Sequence, residues 1–463
     1  MPPKHPVLDR LTGQDLGMLG SQRYGWPQDI GAIAVLAGDG LFDAGGGLRI
    51  EAVRAAVARR LPLLPRLRQV VCRPRLGLGR PLWVDVDSLD LAHHVRVQPL
   101  PPPADEAQLL ATCETLRRRP FDPGRPLWEL WLLPGLADRQ VGMYLKLHHV
   151  IADGAAGVAL AGTLLDPVPR PPEPVASTWT PRPAPSARVL LADNLRRRLS
   201  SLAAGLRRVA HPVVTARELR RSWPALRELM AEERAPRTSL NRPIGKARRT
   251  ALVRGDLGAA KAAARAADAK VNDVVLAAVA GGLRELLRSR GEPVDDLVLR
   301  VAVPMSLHGT QPGEARGNLD AAMAVRLPLG EADGVARLRQ IAADTARRKR
   351  KPRSAVFANL FGSPVGQRLG MRFMDRQRLV NVYVANVVGP GVPLYLAGAR
   401  LLEVFAVVPI LGNVTLGVGV LSYAGQLNFT VIADAQHCAD LPVFVDGLRG
   451  SLHEVAGIIS PAR

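Results

Sequence analysis

Apolar positions along the chain follow two periods. Alternating or continuous apolar runs predict strands at 32–36, 128–133, 141–147, 297–303, 379–388, 401–408, 416–421 and 427–432. Helical spacing appears at 50–61, where Val53, Ala56, Val57 and Leu61 share a face, and again at 155–165, 259–267 and 274–287. Pro134, Gly135 and the polar residues 138–140 predict a turn that pairs 128–133 with 141–147. Residues 423–426 predict a hairpin between the last two strands. The longest apolar stretch without charge, 404–421, is marginally long enough to span a bilayer. Pro409, Gly412, Asn413, Gly417 and Gly419 interrupt it, so two strands joined near Gly412-Asn413 are expected instead of a membrane helix.

Residues 166–186 are too rich in proline for a helix or an inner strand and predict an extended linker. Leu190, Leu191, Leu195, Leu199, Leu202, Leu206 and Val209 follow at helical spacing, with arginines 196, 197, 198, 207 and 208 among them. This is a basic amphipathic helix, which either packs on its own domain or lies on a lipid surface. Helices and strands mix on both sides of the linker. The expected fold class is therefore α/β, as two α+β sandwich domains. The first covers 1–165, linker and basic crossover helices cover 166–245, and the second domain covers 246–463.

Composition narrows the functional classes. With 47% hydrophobic and 22% charged residues, global disorder, a fibrous chain and a multi-span membrane protein are all excluded. The three cysteines, Cys72, Cys113 and Cys438, are scattered, so neither a disulfide framework nor a cysteine metal site is expected, and the compartment is expected to be reducing. The first residues carry no apolar signal core, which points to a cytoplasmic protein. The net charge is +21, with seven lysines and 55 arginines. Between Arg182 and Arg249, 17 basic residues face five acidic ones. This is either a compositional habit or attraction to polyanions such as anionic lipid head groups or a phosphorylated ligand. No nucleic acid partner is expected, because aromatics are 4% and no stacking motif or zinc finger occurs.

The sharpest chemical feature is Leu147-His148-His149-Val150-Ile151-Ala152-Asp153-Gly154. A strand end can present a side chain into a cleft, and Gly154 would let the backbone turn before the next helix. A histidine there can take the proton of an alcohol as it attacks an acyl group. Asp153 would fix the loop or orient the imidazole. The alternatives are a structural histidine pair, half a zinc site without a third ligand, or the base of a covalent triad. Covalent catalysis is disfavoured, since no G-x-S-x-G elbow occurs and Cys113 has no suggestive neighbours. His93-His94 lacks the trailing Asp-Gly and reads as structural. Neither Gly38-Asp39-Gly40 nor Gly45-Gly46-Gly47 has the spacing of a phosphate loop.

His148-His149-Val150-Ile151-Ala152-Asp153-Gly154 resembles the H-H-x-x-x-D-G motif of the coenzyme-A-dependent acyltransferase superfamily. Pro126-Leu127-Trp128-Glu129 and Asn272-Asp273-Val274-Val275-Leu276-Ala277 resemble elements of the bacterial wax ester synthase/acyl-CoA:diacylglycerol acyltransferase family. Thr238-Ser239-Leu240-Asn241, Val303-Pro304-Met305-Ser306-Leu307, Gly317-Asn318, Asn386-Val387-Val388-Gly389-Pro390 and Pro393-Leu394-Tyr395 follow in that family's order. The resemblance runs from Leu11-Thr12 to Ala433-Asp434. Ala385 stands where the family usually has serine or threonine, and Val388 where proline is usual.

The resemblance implies an acyl-CoA-dependent O-acyltransferase with its active-site channel between two domains. His149 would be the general base and His148 would support the loop. Asp153 would be structural, paired with an arginine. Asn386 would help hold the oxyanion. Asn272 and Asp273 would belong to an element needed for activity, or would cap the helix at 274–287. Pro126-Leu127-Trp128 reads as scaffold. The basic run 347–353 would be a solvated helix end or a contact with coenzyme A phosphates or lipid. Acyl-CoA would be a substrate, with no bound cofactor and no metal. Diacylglycerol is the first acceptor implied, giving triacylglycerol. The alternatives are a long-chain fatty alcohol, giving wax ester, or a condensation-type reaction on a carrier protein. A non-catalytic lipid-surface protein would not need His149. Lipid substrates and the basic surface imply peripheral association with an anionic inner membrane or lipid inclusions.

Overall fold

A computed structural model of the chain describes residues 8–75, 77–152, 154–170, 179–210, 234–306, 320–349 and 364–456. Two mixed sheets face one another. The first has strand order β11-β12-β1-β6-β5-β4. Its strands are β1 (Asp29–Leu36), β4 (Val95–Val97), β5 (Trp128–Pro134), β6 (Val141–His148), β11 (Tyr395–Leu396) and β12 (Ala399–Val407). The second has order β7-β14-β13-β10-β8-β9. Here the strands are β7 (Arg248–Asp256), β8 (Val298–Ser306), β9 (Asp320–Pro328), β10 (Val382–Val388), β13 (Leu416–Tyr423) and β14 (Gln426–Asp434). A separate ribbon joins β2 (Gln69–Cys72) to β3 (Leu82–Asp85).

Helices of the first half are α1 (Gly13–Tyr24), α2 (Ile50–Arg60), α3 (Leu91–His94), α4 (Glu106–Arg118) and α5 (Gly154–Leu164), followed by α6 (Ala187–Ala210). Those of the second are α7 (Leu257–Ala266), α8 (Val271–Ser289), α9 (Gly334–Lys349), α10 (Pro364–Met374) and α11 (Leu441–Ala456). Among the described residues no helix is long and apolar enough to cross a membrane. The mixed α/β class with two sandwich-like lobes is as the periodicity indicates.

The chain order does not respect the division at 166–245. Strands β11 and β12 come from the second half but complete the first sheet, with β12 antiparallel to β1 (Gly31 opposite Val407). The apolar run 404–421 is thus two strands, as expected, but in different sheets. Residues 408–415 carry the chain from one sheet to the other, where β13 passes close beneath β12. A Cβ at Gly419 would lie 2.5 Å from the carbonyl oxygen of Ala406, so that crossing requires glycine. The 427–432 strand does form the predicted hairpin with β13, through Tyr423 opposite Gln426.

Strand β6 is buried at every position because the sheet is covered on both faces. Its neighbour β5 is likewise buried over Trp128–Leu133. Trp128 donates Nε1–H to the Leu67 carbonyl at 2.8 Å and stacks on His94 at 4.5 Å. His94 in turn bonds the Trp128 carbonyl through Nδ1 at 2.8 Å. Burial holds its pKa down at about 4. Pro126-Leu127-Trp128 and His93-His94 are therefore scaffold. In the second lobe the Val274–Leu283 stretch of α8 is apolar all round and fully enclosed, while Glu285 and Arg288 near its end are exposed.

Candidate active site

His148 ends β6, opposite Asp29 at the start of β1. Its ring is fully buried and held from both sides. The backbone N–H of Val150 donates to Nδ1 at 3.1 Å, so Nε2 carries the proton and donates to Oε1 of Gln22 on α1 at 2.9 Å. Burial, then the neighbouring His149 and Lys146, hold the pKa down at about 3. His148 is thus a neutral brace with both ring nitrogens committed. The backbone of His149 is fixed next, its N–H donating to the Gln28 carbonyl at 2.8 Å.

Charges beneath this loop are also buried. Asp29 lies 4.0 Å from Arg117, and Arg117 grips Glu114 through two bonds of 2.6 and 2.8 Å. Burial raises the Asp29 carboxyl to about 6 against the pull of Lys146 and Arg117. Lys146 is held by the Leu116 and Arg119 carbonyls and sits 4.2 Å from the Phe121 ring. The chain leading into Gln28 and His149 therefore rests on a fixed polar cluster.

The His149 side chain lines a cavity of about 410 Å³ between the two sheets. Its walls are largely apolar, from Ile30, Leu145 and Leu147 of the first sheet to Val387 and Leu421 of the second. Helix α5 contributes Gly154, Gly157, Ala161 and Gly162, whose small side chains leave the space open. Among the described lining residues there is no serine, threonine or cysteine. Such a largely apolar space suits an apolar ligand.

Of the residues singled out in the sequence, His149, Gly154 and Asn386 share this cavity. Asn386 donates Nδ2–H to Oδ1 of Asn272 at 3.4 Å, leaving its second amide proton for the cavity. Asp273 lies elsewhere. It is buried at the third position of α8, accepting from the Lys270 N–H at 2.9 Å and the Thr345 hydroxyl at 2.8 Å. The capping expectation therefore changes in detail: Lys270 is the N-cap residue, Asp273 closes the turn from inside the helix, and Asn272 does not cap. Gly154 also has a different reason from the one expected. Its φ is not in the left-handed region; it opens α5 and faces Val387, 3.5 Å from where a Cβ would sit. Asp153 and Gly317-Asn318 lie outside the described residues. In the basic run, Arg347 and Arg348 both pair with Asp344, while 350–353 lie outside the described residues.

Sequence reading missed Gln22 and Gln28, because neither sits in a motif. It also missed the cavity wall on α5, although small residues at 154, 157, 161 and 162 repeat at helical spacing and carry that signal.

Residues 11–275 match the wax ester synthase/diacylglycerol acyltransferase catalytic domain, and 316–456 match the C-terminal domain of the same group. A probable diacylglycerol O-acyltransferase of Mycobacterium tuberculosis is 30% identical over 471 residues, with 97% of this chain and 96% of the relative covered. A putative diacylglycerol O-acyltransferase of the same organism is 29% identical over 470 residues, covering 98% and 91%. Among solved structures, the wax ester synthase/diacylglycerol acyltransferase from Marinobacter aquaeolei VT8 superposes with a TM-score of 0.68 at 24% identity, over 96% of this chain and 98% of that one. The starter condensation domain of rhizomide synthetase, in complex with C8-CoA and Leu-SNAC, gives 0.58 at 18% identity, over 97% and 95%. These two likenesses are of fold.

Proposed function

The chain belongs to the wax ester synthase/diacylglycerol acyltransferase family, and from that premise we propose that it transfers a fatty acyl group from acyl-CoA to a lipid alcohol at His149. Diacylglycerol is the first acceptor, giving triacylglycerol, and a long-chain alcohol the second. The observation that carries the reading is a histidine on the wall of an apolar cavity, the one histidine among its described lining residues, braced by a neutral second histidine.

The acceptor hydroxyl gives its proton to the His149 imidazole as its oxygen bonds to the thioester carbon. The carbonyl becomes an oxyanion, for which the spare Asn386 amide proton is the donor in the cavity. Collapse breaks the carbon–sulfur bond, and the departing thiolate takes the proton from His149. No acyl-enzyme forms, in keeping with a lining that has no serine, threonine or cysteine among its described residues.

Lipid substrates have to be collected from a lipid surface. On α6, Leu191, Leu195, Leu199 and Leu202 are each more than half exposed, and Arg196–Arg198 are exposed beside them. Arg10 ties the opposite side of the helix to the first lobe through Asp193 at 2.6 Å. This supports docking of the exposed stripe on an anionic membrane or lipid inclusion, with the leucines in the acyl boundary and the arginines at phosphate depth.

The test is to supply the purified full chain with labelled long-chain acyl-CoA and either diacylglycerol or a long-chain alcohol, and to resolve the lipids formed. Triacylglycerol in excess over wax ester is expected. Wax ester in excess would reverse the order of acceptors, and no ester from either would overturn the reading.

A further inference from the structure

Behind the loop that carries His149 the two lobes meet over a second, small cavity of about 30 Å³. It lies on the other face of the first sheet. Ile30, Leu145 and Leu147 line the apolar cavity, while Asp29 and Tyr144, at alternate positions of the same two strands, line this one. Its polar wall is completed by Glu114 and Arg117 from α4 and by Arg248 and Thr250 from β7. Two buried donors here have no partner among the described residues, the Tyr144 hydroxyl and Nη2 of Arg248. The Arg248 side chain is 3% exposed, and its Nη1 is spent on the Gly245 and Ala247 carbonyls at 2.8 and 3.1 Å. Asp29 and Arg117 stand 4.0 Å apart, too far for a direct hydrogen bond and close enough for a bridging water. A polar space of this size suits about one or two waters, each able to accept from a guanidinium or hydroxyl and to donate to a carboxylate.

Asp29 is placed to act on the His149 loop. It follows Gln28, whose carbonyl takes the His149 N–H at 2.8 Å, and it stands opposite His148 in the register of β1 and β6. The charged and titratable groups around it come from each element packed against it: Lys146 and Tyr144 on β6, Glu129 on β5, Glu114, Arg117 and Cys113 on α4, and Arg248 on β7. The cluster spans both lobes, since the Arg248 N–H donates to Glu114 at 2.9 Å and Arg117 donates to the Lys246 carbonyl at 2.9 Å. Burial costs the ionised carboxyl more than Lys146 and Arg117 return, which raises its pKa to about 6. Stability therefore does not account for an acid here, because a neutral side chain of the same shape costs the fold less above that pH.

We propose that this cavity is a site for ordered water joining Asp29 to Arg248 and Tyr144, and that Asp29 is thereby a positioning residue for His149. The proposal rests on His149 being the base of acyl transfer. Above about pH 6 the carboxylate draws the guanidiniums of both lobes, through the water, onto the first residue of β1. That fixes the Gln28 carbonyl against the His149 N–H. Below it the pull is lost while the fold is kept.

The test compares the full chain with Asp29→Asn, a neutral copy of the protonated acid. Steady-state acyl transfer is followed from about pH 5 to 8, beside thermal unfolding. The ratio of wild-type to variant kcat is expected to rise from near one at about pH 5 to about tenfold at about pH 8, the effect of a reacting group displaced by a fraction of an ångström. The variant is expected to melt no lower than wild type at the upper pH. A ratio that does not change with pH gives Asp29 a structural role only and overturns the proposal. Arg248→Lys keeps the charge and removes Nη2; should it fail to fold, Tyr144→Phe, which removes only the hydroxyl, takes its place. Combined with Asp29→Asn, either is expected to cost no more than the worse single change, and losses that multiply overturn the link through water. Nuclear magnetic resonance of histidine-labelled protein needs no turnover. The His149 ring signal, identified by its loss in His149→Ala, is expected to titrate differently in wild type and Asp29→Asn. A difference supports the coupling even where no ester forms and the acyltransferase reading falls, and identical titration overturns it.

Discussion

Replacing Gln22 by leucine isolates the contribution of the brace behind His149, the proposed base. The change removes the acceptor for the His148 Nε2–H, now 2.9 Å away. The ring is 0% exposed, so water does not replace it. Moving the proton to Nδ1 gives no relief, because the Val150 N–H already points at that nitrogen from 3.1 Å. Either tautomer leaves a buried N–H unsatisfied, at a loss of about 1–3 kcal/mol. The segment that carries His149 is anchored by the same ring, so acyl transfer should slow as well. Urea unfolding measures the first effect and steady-state transfer the second. Gln22→Glu sharpens the result. It keeps an acceptor and favours the imidazolium, so His148 should titrate above its present value of about 3 and the variant should lose less stability on acidification than wild type. A Gln22→Leu protein within about 0.5 kcal/mol of wild type, turning over at the wild-type rate, refutes the reasoning.

Further predictions concern the cavity, the helix start and pH. At Gly162 a Cβ meets no atom within 4 Å and the residue lines the cavity, so Gly162→Leu should gain about 0.5–1 kcal/mol of helix stability and shift donor preference toward shorter acyl-CoA; an unmoved chain-length profile contradicts this. Asp273→Ala should lower stability by about 1–3 kcal/mol by thermal unfolding yet keep turnover per folded molecule, and selective loss of turnover would return Asp273 to the chemistry. His148 and His94 titrate at about 3 and 4 when folded against 6.5 unfolded, so their stabilisation is present above pH 6.5 and is lost as pH falls. Asp29, raised from 3.8 to about 6, acts in the opposite sense, its contribution being lost as pH rises through that window. Two groups against one leave stability falling by about 1.4 kcal/mol per unit between pH 6 and 4, to be read as unfolding free energy against pH, where a flat profile contradicts the assignment.

The parts of the fold that were legible in the sequence are those whose signals are local. The alternation at 141–147, the turn at 134–140 and the helical face at 50–61 depend on neighbours a few residues away, and each appears in the structure. The transfer of β12 to the first sheet was not legible, since strand pairing across more than 350 residues leaves no periodic trace; only Gly417 and Gly419 hint at a close crossing. At the site, His148 and His149 stand out because two histidines follow a strand end. Gln22 does not, because an acceptor on a distant helix is defined by geometry alone.

The central claim is that His149 is the base. The direct measurement is transfer from labelled long-chain acyl-CoA to diacylglycerol by the wild-type chain and by His149→Ala, with thermal unfolding of both as the control for folding. A fall in kcat of about 10²–10⁴-fold is expected in a variant that melts as wild type does. Triacylglycerol formed by His149→Ala at the wild-type rate would contradict it.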